Sequence, residues 1–209
     1  MLPTYGARNR IRTTKLKKRM MNVSKQDHLY EKTIASQPIY EGRIISLKVD
    51  EVLLPNGHTA KREIVNHPGA VAVMALTDDN KLVAVRQFRK PLEQTIVEIP
   101  AGKLEPGEEP LTCAKRELEE ETGYVASHYE PLSSFYTSPG FADEILHVFV
   151  ATGLKKGESK PDEDEFVDAL ELTLEEAHAL HRSGEIRDAK TVVALFAWEN
   201  MLLRKQLNG

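Results

Sequence analysis

Gly102-Lys-Leu-Glu-Pro-Gly-Glu108, then seven residues, then Arg116-Glu-Leu-Glu-Glu-Glu-Thr-Gly123, is the stretch on which the reading of this chain turns. From Leu111 to Thr122 there is neither proline nor glycine and helix formers dominate. A helix is predicted there, stopped by Gly123 as its C-cap. On that helix Glu117, Glu120 and Glu121 stand at i, i+3 and i+4 and share one face. Like charges so placed repel by roughly a few tenths of a kcal/mol per pair, and a helix built only for solubility would more often interleave lysines. Three carboxylates converging on one spot suit a hard divalent cation such as magnesium, which favours oxygen ligands and commonly bridges to substrate phosphates. Taken alone, the glutamate run is explained equally well by a solvated acidic face.

The surrounding spacing breaks that tie. The segment resembles the Nudix box, which runs glycine, five residues, glutamate, seven residues, then Arg-Glu-apolar-any-Glu-Glu-any-Gly-apolar. Gly102, Glu108, Arg116, Glu117, Leu118, Glu120, Glu121 and Gly123 all fall in place, and only Tyr124 departs, where an aliphatic is usual. At average residue usage, seven fixed identities coincide by chance on the order of once in 10⁸ starting points. The resemblance implies Glu117 and Glu121 as chief metal ligands, Glu120 as third carboxylate, and the backbone carbonyl of Ala101 as a further ligand. Arg116 is implied to hold a box carboxylate in position, and Glu108 to be structural. Gly102 and Gly123 would let the backbone turn at the ends of the motif. The chemistry expected is hydrolysis of a diphosphate, the metal neutralising phosphate charge and activating water.

Two downstream segments narrow the substrate. Tyr136-Thr-Ser-Pro139-Gly140-Phe141-Ala-Asp-Glu144 places Pro139 sixteen residues after Gly123, which is similar to the signature of the ADP-ribose pyrophosphatase branch. The same Pro-Gly pair also reads as an ordinary turn between strands. Pro161-Asp-Glu163-Asp-Glu165 is an acidic loop. In that branch the general base lies in such a loop, so Glu163, or Glu165 in the next register, is expected to fill the role. Arg89 looks like the family's substrate-contacting arginine, and Glu98 is a further cleft candidate. Arg62 and Glu63 resemble positions on the adenine side, where an arginine stacks on a base and a carboxylate accepts from its amino group.

Working outward, Ala70–Thr77 is a near-continuous apolar run and reads as a buried strand. Lys81–Phe88, Thr95–Ile99, Glu144–Ala151 and Phe166–Leu172 read as further strands. Thr173 with Glu176 forms a capping box for a helix over Leu174–Arg182, and Ala189–Lys205 is a long C-terminal helix. Upstream, Ile39–Leu54 reads as extended, Pro55-Asn56-Gly57 as a turn, and His58–Val65 as the returning strand. The expected fold is α/β, an α/β/α Nudix sandwich around a mixed sheet over residues 66–209. A small N-terminal antiparallel sheet over 28–65 precedes it, with a basic extension over 1–27. In the resembled branch that small sheet exchanges between the subunits of a homodimer, and the apolar character of Ile44–Leu54 agrees with this.

Bulk properties limit the alternatives. The chain has 209 residues, 41% hydrophobic and 29% charged, with a net charge of −4, which is ordinary for a globular protein. No apolar run is long enough to span a bilayer, so no membrane partner is expected. The single cysteine, Cys113, excludes an intramolecular disulfide framework and suits a cytoplasmic setting. It reads as a small apolar helix residue, with no basic neighbour identified to activate it. Residues 1–20 carry seven positive charges and no acid. They read as an extension ahead of a start at Met20 or Met21, and the acidic remainder makes nucleic acid a poor partner. His178 and His181 suggest no metal site. The substrate expected is ADP-ribose, cut to AMP and ribose 5-phosphate, with magnesium as cofactor and manganese as the alternative. A nucleotide sugar or dinucleoside polyphosphate is the nearest rival substrate. A non-catalytic nucleotide sensor is the rival class, and the intact box carboxylates argue against it.

Overall fold

Ala70–Leu76 is buried at every position, and its alternation divides the core. In the computed structural model, which describes residues 27–157 and 166–208, Ala72, Met74 and Leu76 join one apolar cluster with Ala177, Leu195 and Trp198. Val71, Val73 and Ala75 join a second, with Cys113, Ala114 and Leu118. A strand with both faces buried needs a layer on each side, and each fully buried Val or Leu contributes roughly 1.5–3 kcal/mol. The result is a sheet between two helical layers.

The chain divides into two units, Met1–Val65 and Asn66–Gly209. The first contains a sheet in the order β1 (Lys32–Glu41), β2 (Ser46–Leu53), β3 (Thr59–Asn66). The single extended segment expected over Ile39–Leu54 is therefore two strands. The Gly42 N–H donates to the Ile45 carbonyl at 2.9 Å and closes a turn between them. β1 is exposed along its whole length.

The second unit holds β4 (Ala70–Leu76), β5 (Leu82–Arg89), β6 (Gln94–Glu98), β7 (Ala101–Lys103), α1 (Pro110–Thr122), β8 (Tyr124–Tyr136), β9 (Ile145–Lys156), β10 (Val167–Leu172), α2 (Leu174–Ser183) and α3 (Ala189–Asn208). Its sheet runs β10-β5-β4-β9-β8, with β6 on β5 and β7 on β4. The β4–β9 pair is parallel, whereas β5 pairs antiparallel with β4, β6 and β10. The sheet is thus mixed. Sequence reading missed β7 and β8 altogether.

Local chemistry places α1 against this sheet. Pro110 opens the helix, where its missing N–H costs nothing. Gly123 ends it at φ 72°, a left-handed conformation suited to glycine, and donates its N–H to the Glu119 carbonyl at 2.8 Å. β7 is tied down from both ends: Val73 N–H donates to the Pro100 carbonyl at 2.8 Å, and Leu104 N–H to that of Gly69 at 3.1 Å. Among the described residues, no helix is long and apolar enough to cross a membrane.

Candidate functional site

The site assembles where α1 lies against β7. Glu117 and Glu121 are nearly buried, at 7% and 4% exposure. Their carboxylates meet adjacent residues of β7. Glu121 Oε2 accepts the Ala101 N–H at 3.0 Å, and Glu117 sits over Gly102. A methyl group on Gly102 would lie 1.9 Å from the Glu117 carboxyl carbon. Gly102 therefore serves close approach and not, as its expected role had it, a backbone turn, since its φ is not positive. The Ala101 N–H thus engages a box carboxylate, while its carbonyl is the atom expected to face a metal.

Arg116 binds more than the single glutamate foreseen. Its Nη1 donates to Glu117 at 2.7 Å and Glu120 at 3.0 Å, while Nε and Nη2 fork onto Glu108 at 3.2 and 3.1 Å. The hydrogen bond to Arg116 holds the Glu108 carboxyl below its ordinary range. The guanidinium rises above its usual value, first through Glu108 and then, against burial, through Glu117 and Glu120. Arg116 Nη2 also reaches Cys113 Sγ at 3.3 Å, so the cysteine does have a basic neighbour. Burial dominates all the same, and with the charge of Glu117 it pushes the thiol up to about 12. That is the opposite of an activated nucleophile.

A second charged group sits beside this one. Glu98, only 1% exposed, accepts from Arg89 Nε at 2.6 Å and Nη2 at 2.8 Å. It is also paired with Lys190, which binds Asp188 at 2.9 Å. Burial pushes Glu98 up, but the Arg89 hydrogen bond and the Lys190 charge outweigh it and leave the carboxyl below its ordinary range. The field of Glu121 also acts on Arg89, after the larger effect of Glu98. Lys190 and Asp188 escaped the sequence reading. The available signal was Asp188 as N-cap of α3, where it accepts the Thr191 N–H at 3.1 Å.

Pro139, Gly140 and Phe141 occupy the turn between β8 and β9, closed by the Phe141 N–H on the Ser138 carbonyl at 3.1 Å, and the Phe141 ring is exposed. Arg62 and Glu63 lie on β3 in the first unit. Glu63 is exposed, and Arg62 is engaged by Glu31 through Nε at 2.8 Å and Nη2 at 2.6 Å. Glu163 and Glu165 lie outside the described residues. His178 approaches Glu199 at 3.5 Å, and His181 Nδ1 meets the Ile186 carbonyl at 2.9 Å.

Residues 66–195 match the NUDIX domain, and residues 31–65 match the nucleoside diphosphate sugar hydrolase N-terminal domain. The chain belongs to the Nudix family. It is 61% identical over 169 residues to an ADP-ribose pyrophosphatase of Bacillus subtilis, covering 80% of this chain and 91% of that one. It is also 61% identical over 167 residues to a methanol dehydrogenase activator of Bacillus methanolicus, covering 79% and 90%. A solved structure of an ADP compounds hydrolase shares the fold at a TM-score of 0.73 and 22% identity, covering 84% of this chain and 95% of that one. Nudix hydrolases generally need a divalent metal, and the donor set here fits one. It consists of hard carboxylate oxygens, with Glu117 and Glu121 buried against β7, in a cradle that a Cβ at residue 102 would fill. Among the described residues no three acidic, His or Cys side chains yet converge as ligands of one ion, and Glu117 and Glu120 lean instead on Arg116.

Proposed function

We propose that this chain is a magnesium-dependent pyrophosphatase that hydrolyses ADP-ribose to AMP and ribose 5-phosphate. The observation that carries the reading is the pair of buried carboxylates, Glu117 and Glu121, seated on Ala101–Gly102, with Arg89 within reach of the field of Glu121. Identity of 61% to an ADP-ribose pyrophosphatase over most of both chains supports the choice of substrate. Glu117, Glu121 and Glu120, with the Ala101 carbonyl, would hold the metal. When bound, the metal supplies charge neutralisation on the diphosphate and a lowered pKa for water. Manganese is the expected substitute.

The chain's own residues divide the remaining work. Arg116 holds the Glu117 and Glu120 carboxylates in position. Glu163, or Glu165 in the adjacent register, takes the proton of the attacking water. Arg89 meets the phosphates or the terminal ribose, held by Glu98. Pro139, Gly140 and Phe141 shape the ribose side. Arg62 and Glu63 serve the adenine side. Residues 28–65 form the dimerisation sheet and residues 66–209 the catalytic domain of a cytoplasmic homodimer. Ile34, Ile39 and Tyr40, exposed on β1, support that role for the sheet, because contiguous exposed apolar groups mark interaction surfaces.

The test is a hydrolysis panel with magnesium: ADP-ribose, ADP-glucose, NADH, diadenosine polyphosphates and nucleoside triphosphates, with products identified by mass. ADP-ribose should be turned over fastest, to AMP and ribose 5-phosphate, and Glu121→Gln should abolish turnover. If another diphosphate is preferred, the substrate assignment falls and the chemistry stands. Equal identity to the methanol dehydrogenase activator favours a second reading, in which the protein raises the rate of a dehydrogenase. Assaying such a dehydrogenase with wild-type protein and with Glu121→Gln tests it directly.

A further inference from the structure

Arg89 and Lys190 both hold Glu98, but they are not equivalent. The Lys190 side chain is 14% exposed and that of Glu98 2%, whereas the Arg89 side chain keeps 39%. Only the arginine is open to a ligand. Glu98 takes its Nε and Nη2, and among the described residues no hydrogen bond engages Nη1. The end edge of the guanidinium, Nη1 with the second Nη2 hydrogen, is the edge that grips two oxygens of a phosphate.

Lys190 is fixed from behind. Asp188 Oδ1 accepts from its Nζ and also caps α3 through the Thr191 N–H. One residue on, the fully buried Thr191 takes the Ile99 N–H on its hydroxyl at 3.0 Å. The first turn of α3 therefore grips Glu98 and Ile99 side by side, directly ahead of Ala101–Gly102 beneath the box carboxylates. A buried carboxylate served by Arg89 alone would tie that cation wholly to its own neutralisation. With Lys190 sharing Glu98, the outer edge of Arg89 keeps its attraction for an anion.

We propose that Lys190 is a positioning residue: acting through Glu98, it holds the Arg89 guanidinium with its end edge turned to the substrate's diphosphate. This rests on reading the chain as a diphosphate hydrolase in which Arg89 contacts substrate. Lys190 touches no substrate itself, so its whole effect on substrate passes through the arginine.

The experiment is a double-mutant cycle on the full chain, with Lys190→Gln, Arg89→Ala and the pair, reading KM, kcat and Tm, together with ADP binding by calorimetry without metal. Lys190→Gln should raise KM for ADP-ribose, and weaken ADP, by about tenfold while kcat moves less than about threefold. Lys190→Arg should recover most of the loss. In the Arg89→Ala background, Lys190→Gln should change KM no further. Additive losses, or an unchanged KM in Lys190→Gln, overturn the proposal while the hydrolase reading stands. Loss of cooperative unfolding in Lys190→Gln also overturns it, making the lysine a folding residue. A wild-type protein that turns over nothing in the panel sinks the hydrolase reading first, and this inference with it.

Discussion

At the scale of single residues, Gly102 separates folding from function. The atoms that a methyl group there would strike belong to the far end of the Glu117 side chain, which can swing aside at little cost to the fold. Gly102→Ala should therefore lower Tm by only a few degrees. It should move the Glu117 carboxylate by about an ångström and cut kcat by about 10²-fold, because misplacement on that scale is costly in catalysis. Thermal unfolding and a magnesium titration of activity check both halves. Wild-type kcat in a folded variant would remove Glu117 from the site. The identity of Gly102 was legible from spacing, but its reason was not, since approach distance is a tertiary fact. Lys190 was hidden for the same cause: it stands 92 residues from Glu98, and nothing local marks the pair.

At the scale of elements, legibility followed burial. β4 imprints both of its faces on the core, so its apolar run could be read directly. α2 carries its start signal within four residues: Thr173 accepts the Glu176 N–H at 3.3 Å and donates its own N–H to the Glu176 carboxylate at 2.8 Å. Thr173→Ala should cost about 1 kcal/mol of stability, seen as a lower urea midpoint with an unchanged slope. Wild-type kcat and KM should persist, which makes this variant a control for the destabilising part of the site substitutions. A shift in KM would tie α2 to the substrate. β8 left no comparable trace. It lies at the edge of the sheet, its residues are mostly exposed, and its register with β9 shifts between Pro131 and Ser133. An edge strand with a proline at an irregularity buries too little to write a period of two into its sequence. β7 has only three residues, and its place is set by its partner β4 and by α1.

At the scale of the molecule, stability against pH integrates these local fields. Glu98 and Glu108 are held below the ordinary carboxylate range in the folded chain by Arg89 with Lys190, and by Arg116. Between their ordinary and folded values the unfolded chain binds more protons, so their contribution is complete above the ordinary range and is lost as pH falls through the folded values. Cys113 and Tyr124 act on the other side. Burial pushes both up to about 12, helped by Glu117 for the thiol and by Glu171 for the phenol. Their contribution is complete below the ordinary values and is lost as pH climbs toward 12. Tm should therefore hold a plateau between roughly pH 5 and 8 and fall on both sides. The limbs have separate owners, which makes the profile diagnostic. Glu98→Gln should lower the plateau and flatten the acid limb, leaving the alkaline slope intact. Cys113→Ala should flatten the alkaline limb alone. Thermal melts from pH 3 to 11 at constant ionic strength decide it. An acid limb unchanged in Glu98→Gln would mean that folding leaves the Glu98 carboxyl unshifted. In that case Arg89 and Lys190 would do no more than offset its burial, and the net charge pairing through which Lys190 is proposed to steer Arg89 would be absent.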